Sequence, residues 1–206
     1  MGLRQIHHGI DTKIFFDTDK KCIIKENANL KIENLKHYIE FQHTTNDVVK
    51  VLEIIDDTTF SMEFIPDVVS MVHPFLSFHR LEKIVDLEDR GCTGVITDAS
   101  LNDRLIKQLQ KKDLLELIST LNNVWTKGLD YSKNLPGKQM WTNGDFKLSN
   151  VAVINQDNRL FYKVLDPDSW EVMPGFSSVQ TYYQSQFQLA FISQALINRI
   201  FNNAPE

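Results

Sequence analysis

The sequence predicts an α+β chain, with a small antiparallel sheet and one helix over residues 1–66 and a mainly helical second part over 67–206. Three observations predict it. Short β-branched and aromatic runs alternate with polar turns through residues 14–65. Apolar residues recur at helical spacing over 113–131 and again over 178–201. Between those two helical runs, the apolar stretches 151–154 and 160–165 flank Asn155-Gln156-Asp157-Asn158-Arg159, whose composition is that of a tight turn, so a hairpin is expected there. A chain of 206 residues has room for one compact domain or two small lobes.

Residues 1–25 are strand-forming. Ile14-Phe15-Phe16 and Lys21-Cys22-Ile23-Ile24-Lys25 flank the polar turn Asp17-Thr18-Asp19-Lys20, a hairpin pattern. Over 27–42, Leu30, Ile32, Leu35 and Ile39 recur at helical spacing behind asparagines suited to capping. The runs 48–55 and 58–65 are two more strands, joined at Asp56-Asp57, and they close the sheet. Beyond Pro66 the pattern turns helical over 68–84, breaks at Gly91-Cys92-Thr93-Gly94 and resumes as a short helix over 102–109. The strongest period is 113–131, with Leu114, Leu117, Ile118, Leu121, Val124 and Trp125 on one face. A stripe of that kind is packing and implies no cofactor. Asn134-Leu135-Pro136-Gly137 ends it, and Met173-Pro174-Gly175 is a turn before the run 178–201.

Composition excludes several classes. With 42% hydrophobic and 24% charged residues the chain is an ordinary globular one, and a net charge of −5 argues against nucleic-acid binding by bulk electrostatics. Cys22 and Cys92 stand far apart, and none of the six histidines has a ligand-spaced partner, so neither a disulfide framework nor a zinc site is expected. No window has the length of apolar sequence that spans a membrane, and the first residues carry no apolar signal core. A cytoplasmic protein without membrane or nucleic-acid partners is the expectation.

The expected hairpin at 151–165 also places acids. Asp145 and Asn150 precede its first strand, Asp166 and Asp168 follow its second, and antiparallel strands set those two ends side by side. An acid, an amide and a second acid so placed suit magnesium-dependent phosphoryl transfer. One carboxylate orients the attacking hydroxyl, while the amide oxygen and the other carboxylate hold the metal on the nucleotide phosphates.

On these residues the chain resembles the protein-kinase-like superfamily. Asn143-Gly144-Asp145-Phe146-Lys147-Leu148-Ser149-Asn150 is similar to the Asp-x-Lys-x-x-Asn loop of serine/threonine kinases and to the His-Gly-Asp-(x)4-Asn loop of aminoglycoside and choline phosphotransferases. Val164-Leu165-Asp166-Pro167-Asp168 is similar to the metal-binding segment, Asp-Phe-Gly or Asp-x-Asp. Cys22-Ile23-Ile24-Lys25 is similar to Val-Ala-Ile-Lys, and Met62-Glu63-Phe64-Ile65-Pro66 to the hinge between kinase lobes.

The resemblance implies a bilobal fold, with residues 1–66 as the sheet lobe and 67–206 as a reduced helical lobe. It also implies ATP and Mg2+ as cofactors. Asp145 would be the catalytic carboxylate, and Lys147 would neutralise charge on the transferring phosphoryl group. Asn150 and Asp166 would bind magnesium, with Asp168 supporting a second ion or the loop. Lys25 would pair with the α- and β-phosphates and be held by a glutamate of the 27–42 helix. Glu33 and Glu40 lie on nearly the same side of that helix, and the spacing of Glu40 from Lys25 is closer to the family's. At the hinge, the Glu63 carbonyl and the Ile65 amide would face the adenine, with Met62 behind it.

The chain departs from the family at four places. No Gly-x-Gly-x-x-Gly precedes Lys25, Asn143 stands where His is usual, Pro167 follows the metal aspartate, and only residues 167–206 come after Asp166. So short a tail implies a small-molecule hydroxyl acceptor. The first two departures keep open a pseudokinase, a kinase-shaped binding or scaffold module, and a minimal protein kinase is a third possibility.

Overall fold

In the computed structural model of the protein, the residues described are 2–65, 68–70, 111–137, 139–144, 150–156 and 159–174. The chain opens with β1 (Leu3–His8), β2 (Thr12–Asp17) and β3 (Cys22–Asn27). Asp17 shapes the second turn, because its Oδ1 accepts the backbone N–H of Asp19 and of Lys20, each at 2.9 Å. Helix α1 (Ile32–Phe41) follows, then β4 (Val51–Ile54) and β5 (Thr59–Glu63). The five strands form one antiparallel sheet in the order β1-β2-β3-β5-β4, and β3 sits at its centre.

The helix is shorter than the 27–42 run expected, its N-cap is Lys31 with no side-chain capping bond where an asparagine was expected, and of the expected stripe only Leu35 is fully buried. Leu35, Tyr38 and Phe41 are its buried residues. Two side chains strap it to the β4 side of the sheet: the Tyr38 hydroxyl donates to the Val49 carbonyl at 2.7 Å, and the Gln42 amide exchanges hydrogen bonds with the backbone of Val51. A buried polar group needs such partners, because burying it unbonded costs on the order of 1–3 kcal/mol.

The second part begins with a correction. Val68 to Ser70, expected to open a helix, form strand β6 (Val68–Ser70), antiparallel to β8 (Val151–Gln156). Val68 and Val69 are β-branched and favour extended backbone, and the hairpin offers them an open edge. The rest of 68–84, the break at 91–94 and the helices expected over 102–109 and 178–201 lie outside the described residues. Helix α2 (Lys111–Ser132) covers the strongest apolar period, with Leu117, Leu121, Val124 and Trp125 buried. The hairpin is formed by β8 and β9 (Arg159–Val164), in register from Val151↔Val164 to Gln156↔Arg159.

One ladder was not expected. Strand β7 (Met140–Asn143) pairs with β10 (Trp170–Met173), from Trp170↔Asn143 to Met173↔Met140. It carries Trp141 and Trp170, which stack at 5.6 Å and meet Phe41 and Tyr38 of α1. One apolar core therefore runs from Ile6 and Phe16 of the sheet through α1 and α2 to Trp141 and Trp170. The fold is α+β, and among the described residues no helix is long and apolar enough to cross a membrane.

Candidate functional site

Lys25 is two residues from the end of the central strand, flanked in register by Ile14 of β2 and Phe60 of β5. Its side chain is 9% exposed, so the ammonium must find a counter-charge within the protein. It finds two. Nζ donates to Asp166 Oδ1 and, at 2.7 Å, to Asp168 Oδ1. These acids stand 141 and 143 residues further along the chain.

The hairpin brings them there. Beyond β9, the Leu165 N–H donates to the Asn150 carbonyl at 2.7 Å, so Asn150 and the Asp166 segment share one end of the hairpin, as the antiparallel argument requires. The loop after α1 guides the same segment, because Val164 donates to Asp47 and accepts from Val49 along the backbone. Asp166 then adopts left-handed backbone, φ 66° and ψ 65°. Proline disfavours right-handed helical backbone in the residue before it, and aspartate tolerates the left-handed region better than most side chains. Pro167 opens a short 3-10 turn, Pro167–Ser169, and the Ser169 hydroxyl donates to Asp166 Oδ2.

Two carboxylates share one ammonium, and their titration belongs to the group. Burial works against the charge on Asp166, but Lys25 and the Ser169 hydroxyl outweigh it and hold this carboxyl down to about 2. Asp168 is the more enclosed, 6% exposed against 26%, and burial together with the Asp166 charge pushes it up despite Lys25. Burial alone would drive a proton off Lys25, yet the two acids keep it firmly charged.

The glutamate expected on Lys25 is elsewhere. Glu40 accepts a hydrogen bond from the Tyr131 hydroxyl at 2.7 Å, and Glu33 pairs with Lys36 at the surface. The reason is helical geometry. Tyr38 faces the core, and a residue two positions further on points to the opposite side of the helix, as does Glu33 seven residues before Glu40. The partners of Lys25 are Asp166 and Asp168, not the glutamate expected from α1.

Asp145 and Lys147, expected from the sequence to be catalytic, lie outside the described residues, but the residues on either side of 145–149 are described. Gly144 donates its N–H to the Ser169 carbonyl at 2.9 Å, and Asn150 is held by Leu165. The chain thus enters and leaves residues 145–149 beside the two ends of the Asp166–Ser169 segment. Asn143, in place of the family's histidine, is fully buried in the β7–β10 ladder, which braces the loop entrance through backbone pairing.

Of the residues expected at a hinge, Met62 is buried in the core between Ile23 and Val51, and Ile65 is buried just past the strand. The Glu63 carboxylate is bound by Lys163 of β9 at 2.5 Å and by the Lys50 N–H at 2.9 Å, which ties the end of β5 to the hairpin. Asn27, two residues beyond Lys25, was not singled out from the sequence. Its Nδ2 donates to Asp168 Oδ2 at 2.5 Å, and it lines an open cavity of about 280 Å³ with Asp11, Lys13, Glu26 and Thr58. A polar residue at i+2 from the candidate lysine, on the same strand face, was the signal available.

No protein-family model matches the chain, and no curated protein matches it. What the cluster does must follow from its own chemistry. Among the described residues no group of three or more His, Cys, Asp or Glu is arranged to hold a metal. The carboxylates are hard oxygen donors of the kind magnesium takes, but Lys25 engages both of them, and of Asn150 it is the backbone carbonyl that is placed beside their segment.

Proposed function

We propose that the chain is an ATP- and magnesium-dependent phosphotransferase with a bilobal, kinase-like layout, moving a γ-phosphate to the hydroxyl of a small molecule. The observation that carries this reading is the meeting of Lys25 with Asp166 and Asp168, a cation from the centre of the sheet and two acids from beyond the hairpin. Lys25 would turn its ammonium to the α- and β-phosphates. Asp166 and Asn150 would hold magnesium, with Asp168 beside them, and that ion would neutralise charge on the phosphates. Asp145 would orient the acceptor hydroxyl and take its proton, and Lys147 would lie against the transferring group. The Glu63 carbonyl and Ile65 amide would receive the adenine edge in front of Met62.

The test is Asp145→Asn in the whole chain, assayed for Mg-ATP binding by calorimetry and for phosphate transfer against a panel of alcohols. Binding should persist and transfer should fall by at least about 10²-fold, the lower range for loss of a positioned general base. Equal turnover by the variant sinks the assignment.

One observation favours a second reading. Both acids meant for the metal are engaged by Lys25, and the sequence before Lys25 has no glycine-rich motif, which suits a pseudokinase-type binding or scaffold module. Mg-ATP binding without transfer to any alcohol or to the protein itself would favour that module, whereas label from ATP on the protein would point to a minimal protein kinase.

A further inference from the structure

We infer that Asn27 is a positioning residue for Lys25, acting through Asp168, and that this pair on β3 does the work expected of a helix glutamate; the inference rests on the phosphotransferase reading. Lys25 and Asn27 are two apart on one strand, so their side chains leave the same face. Each takes one oxygen of the same carboxylate: Nζ lies 2.7 Å from Asp168 Oδ1 and Nδ2 lies 2.5 Å from Oδ2. Asp168 is the more enclosed of the two acids, and with both oxygens occupied from β3 it is a strut for the lysine. Asp166 is also held at both oxygens, by Lys25 and the Ser169 hydroxyl, but at 26% exposed it is the acid that solvent or a metal reaches.

The Asn27 amide is itself fixed. Its Oδ1 accepts the Asn29 N–H at 2.9 Å, and its backbone N–H donates to the Thr58 carbonyl at 2.7 Å. With the oxygen used in that turn, only the NH2 end can face the carboxylate. A neutral donor suits the position, because it satisfies Asp168 without adding a second cation to compete with Lys25. The aim of the lysine is then set within its own strand and the acids it holds, and does not depend on a carboxylate from α1.

Asn27→Ser separates this role from a structural one. A serine hydroxyl can still accept the Asn29 N–H and keep the turn, but it is too short to reach Asp168. Asn27→Asp also keeps the turn acceptor and places a second negative charge against Asp168. Three quantities are measured on the full chain: the thermal midpoint without ligand, the Kd for Mg-ATP by calorimetry, and the rate of Lys25 acylation by an amine-reactive ester, read by mass spectrometry.

In the serine variant, Lys25 acylation without ligand should rise several-fold and Mg-ATP binding should weaken about tenfold, the scale of one hydrogen bond to a charged group, while the thermal midpoint falls because Asp168 Oδ2 loses its enclosed partner. The aspartate variant should bind Mg-ATP more weakly still. An unchanged acylation rate in the serine variant overturns the inference. So does unchanged Mg-ATP affinity in both variants when the native chain binds. If the native chain shows no Mg-ATP binding, the phosphotransferase reading fails, and the ligand-free acylation rates still decide whether Asn27 holds Asp168 on the lysine.

Discussion

Lys25 has two tasks. In the phosphotransferase reading it serves the nucleotide phosphates, and in the fold it is the cation for two enclosed carboxylates. Removing such a partner leaves uncompensated buried charge, so Lys25→Met should lower the unfolding free energy by about 3–5 kcal/mol, measured by urea unfolding at neutral pH. Adding Asp168→Asn to that variant should recover part of the loss, because one of the stranded charges is gone. A Lys25→Met protein as stable as the native chain would show that the ion cluster contributes little. Asp166→Asn should be milder, since asparagine also tolerates the left-handed backbone that Asp166 adopts, and its amide oxygen can still accept from Lys25 while its NH2 donates to the Ser169 hydroxyl oxygen.

At the scale of elements, α1 is pinned between the sheet and the β7–β10 ladder by aromatic side chains. Trp170 approaches α2 at Gly128, where an added Cβ would come within 3.3 Å of its ring. Alanine gains about 1 kcal/mol over glycine inside a helix, whereas overpacking a close-packed site costs about 1–3 kcal/mol. Trp170 is 1% exposed and stacked on Trp141 and Phe41, so it has no room to yield. Gly128→Ala should therefore lower the thermal midpoint despite its better helix propensity. A raised midpoint would mean that the ladder can shift away from α2. On the far side of α1, the Tyr131 hydroxyl donates to Glu40 and is within 3.0 Å of His37 Nδ1, so the glutamate read as a phosphate-site residue joins α1 to α2.

For the whole molecule, five of the described groups respond together to high pH, and the first is the Cys22 thiol, raised above its ordinary 9.0 by burial and by Asp17. Tyr38, Tyr131 and Tyr162 are raised above their ordinary 10.0, first by burial and then by neighbouring carboxylates, among them Glu63 for Tyr38, Glu40 for Tyr131 and Asp113 for Tyr162. Lys25 is raised above 10.5 because Asp168 and Asp166 outweigh its burial. Each keeps its proton in the folded chain at a pH where the unfolded chain has begun to release it. The native state then binds more protons, and stability falls as pH rises past about 9, while below that all five contributions are intact. The urea midpoint should drop between pH 8 and pH 10.5, and Tyr131→Phe should shallow the slope. An unchanged midpoint across that interval contradicts the account.

Local pattern was enough for much of this molecule. The alternating runs around Asp17 and around residues 155–159 specify hairpins, and the period of Leu117, Leu121 and Val124 specifies α2, because each depends on neighbours a few residues away. The hairpin alone brings Asn150 beside the Asp166 segment. Only the tertiary structure decided which acids meet Lys25, that Val68–Ser70 closes an open edge as a strand, and that Asn143 is held by a ladder to Trp170. Those contacts join residues from 27 to 143 positions apart in sequence number, and they are selected by which face of α1 is buried and which strand edge stands open, quantities that exist only once the elements have packed.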